Sequence, residues 1–80
     1  MKENMEYKTK DFYLSACILA SGYPLLNIER TNDKFSIFVF KISPEKAEKI
    51  IQQHWNYLLK LSTRKLIEAI NELKTRLYGN

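Results

Sequence analysis

One cysteine, one histidine, two glycines and two prolines are all that this 80-residue chain contains of the residue types on which most site chemistry and loop architecture depend. The lone Cys17 forms no internal disulfide, and with His54 as its only soft companion it falls short of a structural zinc site. Gly22 and Gly79 are too few and too far apart for a glycine loop that wraps phosphate. No apolar run approaches the roughly 20 residues of a membrane span. The longest, Phe12 to Ala20, is about half that length. The N-terminal Met1 to Lys8 is polar and mixed in sign, without the apolar stretch and small-residue cleavage site of a secretion signal, so a soluble cytoplasmic protein is expected.

Catalysis is not expected either. His54 falls within an apolar helical stripe beside Trp55 and reads as a partly buried histidine at the core edge rather than a general base. Cys17 lies inside an apolar helix and reads as a small buried hydrophobe. Glu45, Glu48, Glu68 and Glu72 are interleaved with Lys46, Lys49, Lys65 and Arg76, the pattern of a solvated, ion-paired helix face. No cofactor, metal or small-molecule substrate is implied.

What is present is architecture. Residues 1–7 read as a flexible arm and residues 8–80 as one domain. Thr9 or Asp11 caps a first helix that is apolar on nearly every side and so belongs in the middle of the fold. Gly22 stops it, since the position after a helix cap favours a left-handed backbone, and Pro24 prevents its resumption. Leu25 to Thr31 and Lys34 to Ile42 read as two strands joined by a turn at Asn32-Asp33, the second dense in aromatic and β-branched residues. Ser43-Pro44-Glu45 starts a second helix, with Ala47, Ile50, Ile51, His54, Trp55 and Leu58 on one stripe. Residues 57–61 are a short link or a third strand built on Leu59 and Leu61. Ser62 or Thr63 caps a last helix striped by Leu66, Ile70, Leu73 and Leu77. The expected fold is α+β: helix, β-hairpin and two further helices (α-β-β-α-(β)-α), with a small antiparallel sheet packed by helices.

The formal charge of +4 is unevenly placed. Acids and bases balance over residues 1–40, and the whole excess lies in residues 41–80. Lys41, Lys60, Arg64, Lys65, Lys74 and Arg76 are the candidate nucleic-acid contacts. Among them Lys60, Arg64 and Lys65 cluster at the start of the last helix, where unpaired N–H groups favour a phosphate. The second strand puts Ser36, Phe38, Phe40 and Ile42 on one side and Phe35, Ile37, Val39 and Lys41 on the other. Either helices cover Phe38 and Phe40, or the sheet displays them for base stacking. Tyr13, Tyr23 and Tyr57 are candidates for a protein interface, because large rings with a polar tip suit such surfaces.

Lys8-Thr9-Lys10-Asp11-Phe12-Tyr13-Leu14, followed by Leu19-Ala20-Ser21-Gly22-Tyr23, is similar to the opening of a family of short, uncharacterised bacterial and phage proteins. In that family a K-T-x-D-F-Y-L … L-A-S-G-Y opening precedes a Phe-rich strand and a helix with a Trp-Asn pair. Phe38-Val39-Phe40, Trp55-Asn56 and the closing Leu73 to Tyr78 correspond, so the resemblance covers about residues 8–78. It implies a bacterial, phage or mobile-element setting, but no activity and no site residues. Two readings follow: a non-catalytic accessory protein binding DNA or RNA through its basic half, and a homodimer, adaptor or inhibitor that engages a partner protein.

Overall fold

The computed structural model describes residues 5–31 and 35–79. The elements run β1 (Glu6–Thr9), α1 (Phe12–Ala20), β2 (Leu25–Arg30), β3 (Ser36–Lys41), α2 (Pro44–Trp55) and α3 (Thr63–Tyr78). Three helices and a small antiparallel sheet make an α+β fold, with strand order β1-β3-β2. The expected turn at Asn32-Asp33, with Lys34, lies outside the described residues.

Each helix begins as its side chains dictate. Asp11 caps α1, accepting from the Leu14 N–H at 3.0 Å, while the Thr9 hydroxyl accepts from the Asp11 N–H. Ser43 caps α2 ahead of Pro44, and Ser62 caps α3. At the end of α1 the Tyr23 N–H reaches Ile18 O and the Gly22 N–H reaches Leu19 O, with Gly22 at φ 104°. That paired closure satisfies two orphan carbonyls and requires the left-handed backbone that glycine adopts cheaply.

Because α1 has almost no polar face, it is the helix most enclosed by the rest of the fold, with Leu14 to Ile18 buried and its main packing against α3. The Ser15 hydroxyl, fully enclosed there, is satisfied by donating to Asp11 O at 2.7 Å. Phe38, Phe40 and Ile42 face the helices and share one core with Ile18, Ala47 and Leu73. Phe38 and Phe40 are 2% and 0% exposed, so the sheet displays neither for stacking.

One open alternative is decided and one expectation is corrected. Residues 57–61 are the short link and not a strand; the third strand is β1, and Glu6 and Tyr7 belong to it rather than to a flexible arm. The Leu58 and Leu59 N–H groups both turn back to Gln53 O, which spends the donors a ladder would need. In β1, Tyr7 lies opposite Phe40 and Thr9 opposite Phe38 on the inner face, so β1 completes the core side of β3. The smallest dimension of the molecule, 18 Å, accommodates one helical layer on the sheet and leaves the opposite face open.

Candidate nucleic-acid interface

The apolar stripe of α2 outruns the core. Ala47 and Ile50 are buried and Ile51 is half-buried, but one turn later Trp55 is 69% exposed and Leu58 is 66% exposed. The helix then closes in the same way as α1: Leu58 N–H to Gln53 O at 2.8 Å and Tyr57 N–H to His54 O at 3.2 Å. Here the left-handed position is held by Tyr57, at φ 61°. A bulky side chain in that conformation costs about 1–2 kcal/mol. Its ring is 97% exposed, so no packing of that ring within the chain offsets the cost. Leu59 and Leu61 pack against the core and anchor the link from which Tyr57 projects.

The bases around this corner follow from the start of α3. Lys60 is exposed in the link, and Ser62 accepts from the Lys65 N–H, leaving the first turn of α3 open to solvent with Arg64 and Lys65 on it. Arg64 Nε lies 3.3 Å from Glu68, an exposed pair that holds the guanidinium only weakly. Between Glu48 and Glu68 the chain carries no acid at all. The corner therefore carries two exposed rings and an exposed leucine, with Lys60 and Arg64 following in the link and the first turn of α3, while Lys65 lines a shallow groove with Glu68, Glu72 and the end of α1.

The other expected residues lie elsewhere. Lys41 is on the open sheet face opposite Glu6. Arg76 pairs with Glu72 at 3.1 Å. Lys74 lines a separate groove near the end of α3, about 15 Å along the helix from Arg64. Of the tyrosines, Tyr13 is 66% exposed and lines the groove that holds Lys74, while Tyr23 is half-buried against the core. Tyr13, Tyr23 and Tyr57 do not form one surface.

His54 is exposed rather than part of the core edge, because the stripe it occupies has already left the core. Its ring lies edge-on to Trp55, and its Nδ1 is 3.8 Å from Cys17 Sγ. Burial pushes the Cys17 thiol up, and the charge of Asp11 adds to this, so the sulfur is held protonated rather than as a nucleophilic thiolate. These groups line a cavity of about 480 Å³ with Trp55, Tyr57 and Leu66. Among the described residues, no group of three or more His, Cys, Asp or Glu side chains is placed to hold a metal ion, and no helix is long and apolar enough to cross a membrane.

The sequence put Trp55 and Leu58 on one apolar stripe of α2 with Ala47 and Ile50, and the stripe by itself does not show that its last members are exposed. The available signal was Asn56, a residue that suits helix ends, directly after Trp55: the stripe continues past the point where the helix stops. No curated protein and no solved structure gives a significant match to the chain. A family match covers residues 4–79, and the chain accordingly belongs to the family described as Domain of unknown function (DUF5659).

Proposed function

We propose that this chain is a non-catalytic accessory protein that binds single-stranded DNA or RNA through the α2–α3 corner. The observation that carries the reading is Tyr57: a ring 97% exposed, held on a costly left-handed backbone, in the acid-free interval of the sequence between Glu48 and Glu68. Strain kept at an exposed position has its natural rationale in function. Tyr57 and Trp55 offer faces for unpaired bases, each stack contributing about 1–3 kcal/mol. Lys60, Arg64, Lys65 and the first N–H groups of α3 take the phosphates. Such binding reads backbone and ring faces, so little sequence preference is expected. A cytoplasmic protein of a bacterial or phage system fits this role.

A second reading rests on Leu58, whose 66% exposure serves stacking poorly and a protein contact well. Anisotropy of labelled single-stranded oligonucleotides at two salt concentrations separates the two. With three phosphates engaged, log K should fall against log salt with a slope of about −2. Absence of binding at low salt would retire the nucleic-acid reading and favour a protein partner.

A further inference from the structure

At the opposite end of α3 from this corner, a groove of about 640 Å³ opens between the start of α1, the Arg30 end of β2, Phe35 and the last turns of α3. Its volume is that of a small-molecule site. Lys10, Arg30 and Lys74 line it, and no acid does among the described residues. Neither Lys10 nor Lys74 takes part in an ion pair among the described residues. Aromatic rings share the lining with these cations: Tyr13 is 66% exposed, Tyr78 is 77% exposed and Phe35 is 41% exposed. The Lys10 ammonium sits 4.1 Å from the centre of the Phe35 ring, and Tyr13 stands edge-on to Phe12 at 5.2 Å.

A helix C-terminus is an unfavourable neighbour for an anion, since its free carbonyls carry the negative end of the helix dipole. Arg30 removes that obstacle. Its two terminal nitrogens donate to Leu77 O and Arg76 O, both at 3.1 Å, so two end carbonyls of α3 are capped by a positive charge. The guanidinium is thereby fixed at the groove wall, and with five donors it retains others for a ligand. Three cations, with no acid among the described lining residues, favour an anion; exposed ring faces favour a flat π system.

We infer that this groove binds a small aromatic phosphate of the mononucleotide class, with the phosphate between Lys10 and Lys74 and the base against the Tyr13, Phe35 or Tyr78 ring. A free nucleotide and the phosphorylated end of a strand present the same chemistry. The site is distinct from the α2–α3 corner and stands or falls separately from it.

Titration calorimetry of the full chain with adenosine monophosphate, adenosine, inorganic phosphate and a terminally phosphorylated dinucleotide tests the inference. Saturable one-to-one binding of the monophosphate is expected, with adenosine and phosphate each about tenfold weaker or more, since each lacks half of the recognised chemistry. The double variant Lys10→Gln, Lys74→Gln should reduce the monophosphate to the affinity of adenosine, with an unchanged circular dichroism spectrum. Tyr57→Ala should leave monophosphate binding unaltered. A dinucleotide tighter than the monophosphate identifies a strand end as the ligand, and a weaker one identifies the free nucleotide. Equal affinities for monophosphate and adenosine, no saturation, or indifference to Lys10→Gln, Lys74→Gln overturns the inference. Loss of monophosphate binding in Tyr57→Ala, with none in the lysine variant, moves the ligand to the corner and overturns it too. Retained monophosphate binding without oligonucleotide binding leaves this groove standing and removes the corner.

Discussion

Lys8 Nζ lies 3.0 Å from Glu29 Oε2, an ion pair that joins the two edge strands across the central one. Lys8 is opposite Val39 in the β1–β3 ladder, and Glu29 is opposite Ile37 in the β2–β3 ladder, so the bridge straddles β3 on the face without helices. Val39 is only 3% exposed although it lies outside the helix-covered core. Lys8 stands directly opposite it in the ladder, a position from which a lysine stem covers an apolar neighbour.

Loss of that cover should be measurable. Lys8→Ala is expected to destabilise the chain by about 1 kcal/mol, and Lys8→Met by less, because methionine keeps the apolar stem and forfeits only a half-exposed ion pair. Urea unfolding of both variants, with Glu29→Gln to complete the comparison, separates packing from charge. Equal losses for the alanine and methionine variants would assign the whole effect to the ion pair.

The two left-handed helix ends should respond in opposite directions. Gly22→Ala is expected to lose about 1–2 kcal/mol from backbone strain. An added Cβ there would meet nothing within 4 Å, so no steric clash contributes. Tyr57→Gly is expected to gain about 1 kcal/mol for the reciprocal reason. The same Tyr57→Gly should weaken oligonucleotide binding by about tenfold, the cost of one lost stack. A variant both more stable and a weaker binder would be the signature of strain kept for function; unchanged binding would strip Tyr57 of its proposed role.

Charge reversal at Arg64 and Lys65 addresses the phosphate contacts. Arg64→Glu with Lys65→Glu is expected to lower affinity at least about tenfold at low salt and to flatten the salt dependence by more than one unit of slope. Stability should change by less than about 0.5 kcal/mol, because both side chains are solvent-exposed. Reversal of Lys41 should matter far less, since it stands on the open sheet face.

Arg30 ties the hairpin to the end of α3. Arg30→Ala is expected to cost about 1–2 kcal/mol through two lost charge-assisted hydrogen bonds at a partly solvated site. Hydrogen exchange should show the excess fraying confined to the last turn of α3. Uniform loss of protection across the fold would argue that Arg30 supports the core instead.

Cys17 supplies a pH-dependent test. Its folded thiol titrates above the ordinary thiol range of about 8.5, so the native state binds the extra proton in that window. The contribution is fully present below the unfolded thiol's value and is lost as pH rises through the folded one. Stability is therefore expected to fall at alkaline pH by more in the parent than in Cys17→Ala. Alkylation by iodoacetamide should be slow at neutral pH and become rapid on addition of denaturant. Fast alkylation of the folded chain at neutral pH would mean that His54 activates the sulfur.

Much of this molecule could be read directly from the chain, for a local reason. Asp11, Ser43 and Ser62 cap helices through hydrogen bonds to residues three positions ahead, and Gly22 ends α1 through a backbone angle of its own. Interactions of that range are encoded where they occur. The apolar character of α1 called for burial of most of its surface, which holds for Leu14 to Ile18 though not for Tyr13, and the alternation in β3 divided its residues between two faces before any partner was known. What the sequence could not decide is how far the core extends. Glu6 to Thr9 became a strand because β3 had a free edge beside it, a pairing between segments about thirty residues apart that four mixed residues do not announce. Trp55 and Leu58 continue a stripe that in isolation looks like core; only the position where the packed elements end left them in water. The meeting of Lys10, Arg30 and Lys74 in one groove likewise depends on three elements brought together by folding, because long-range contacts are set by the packing of all the elements at once.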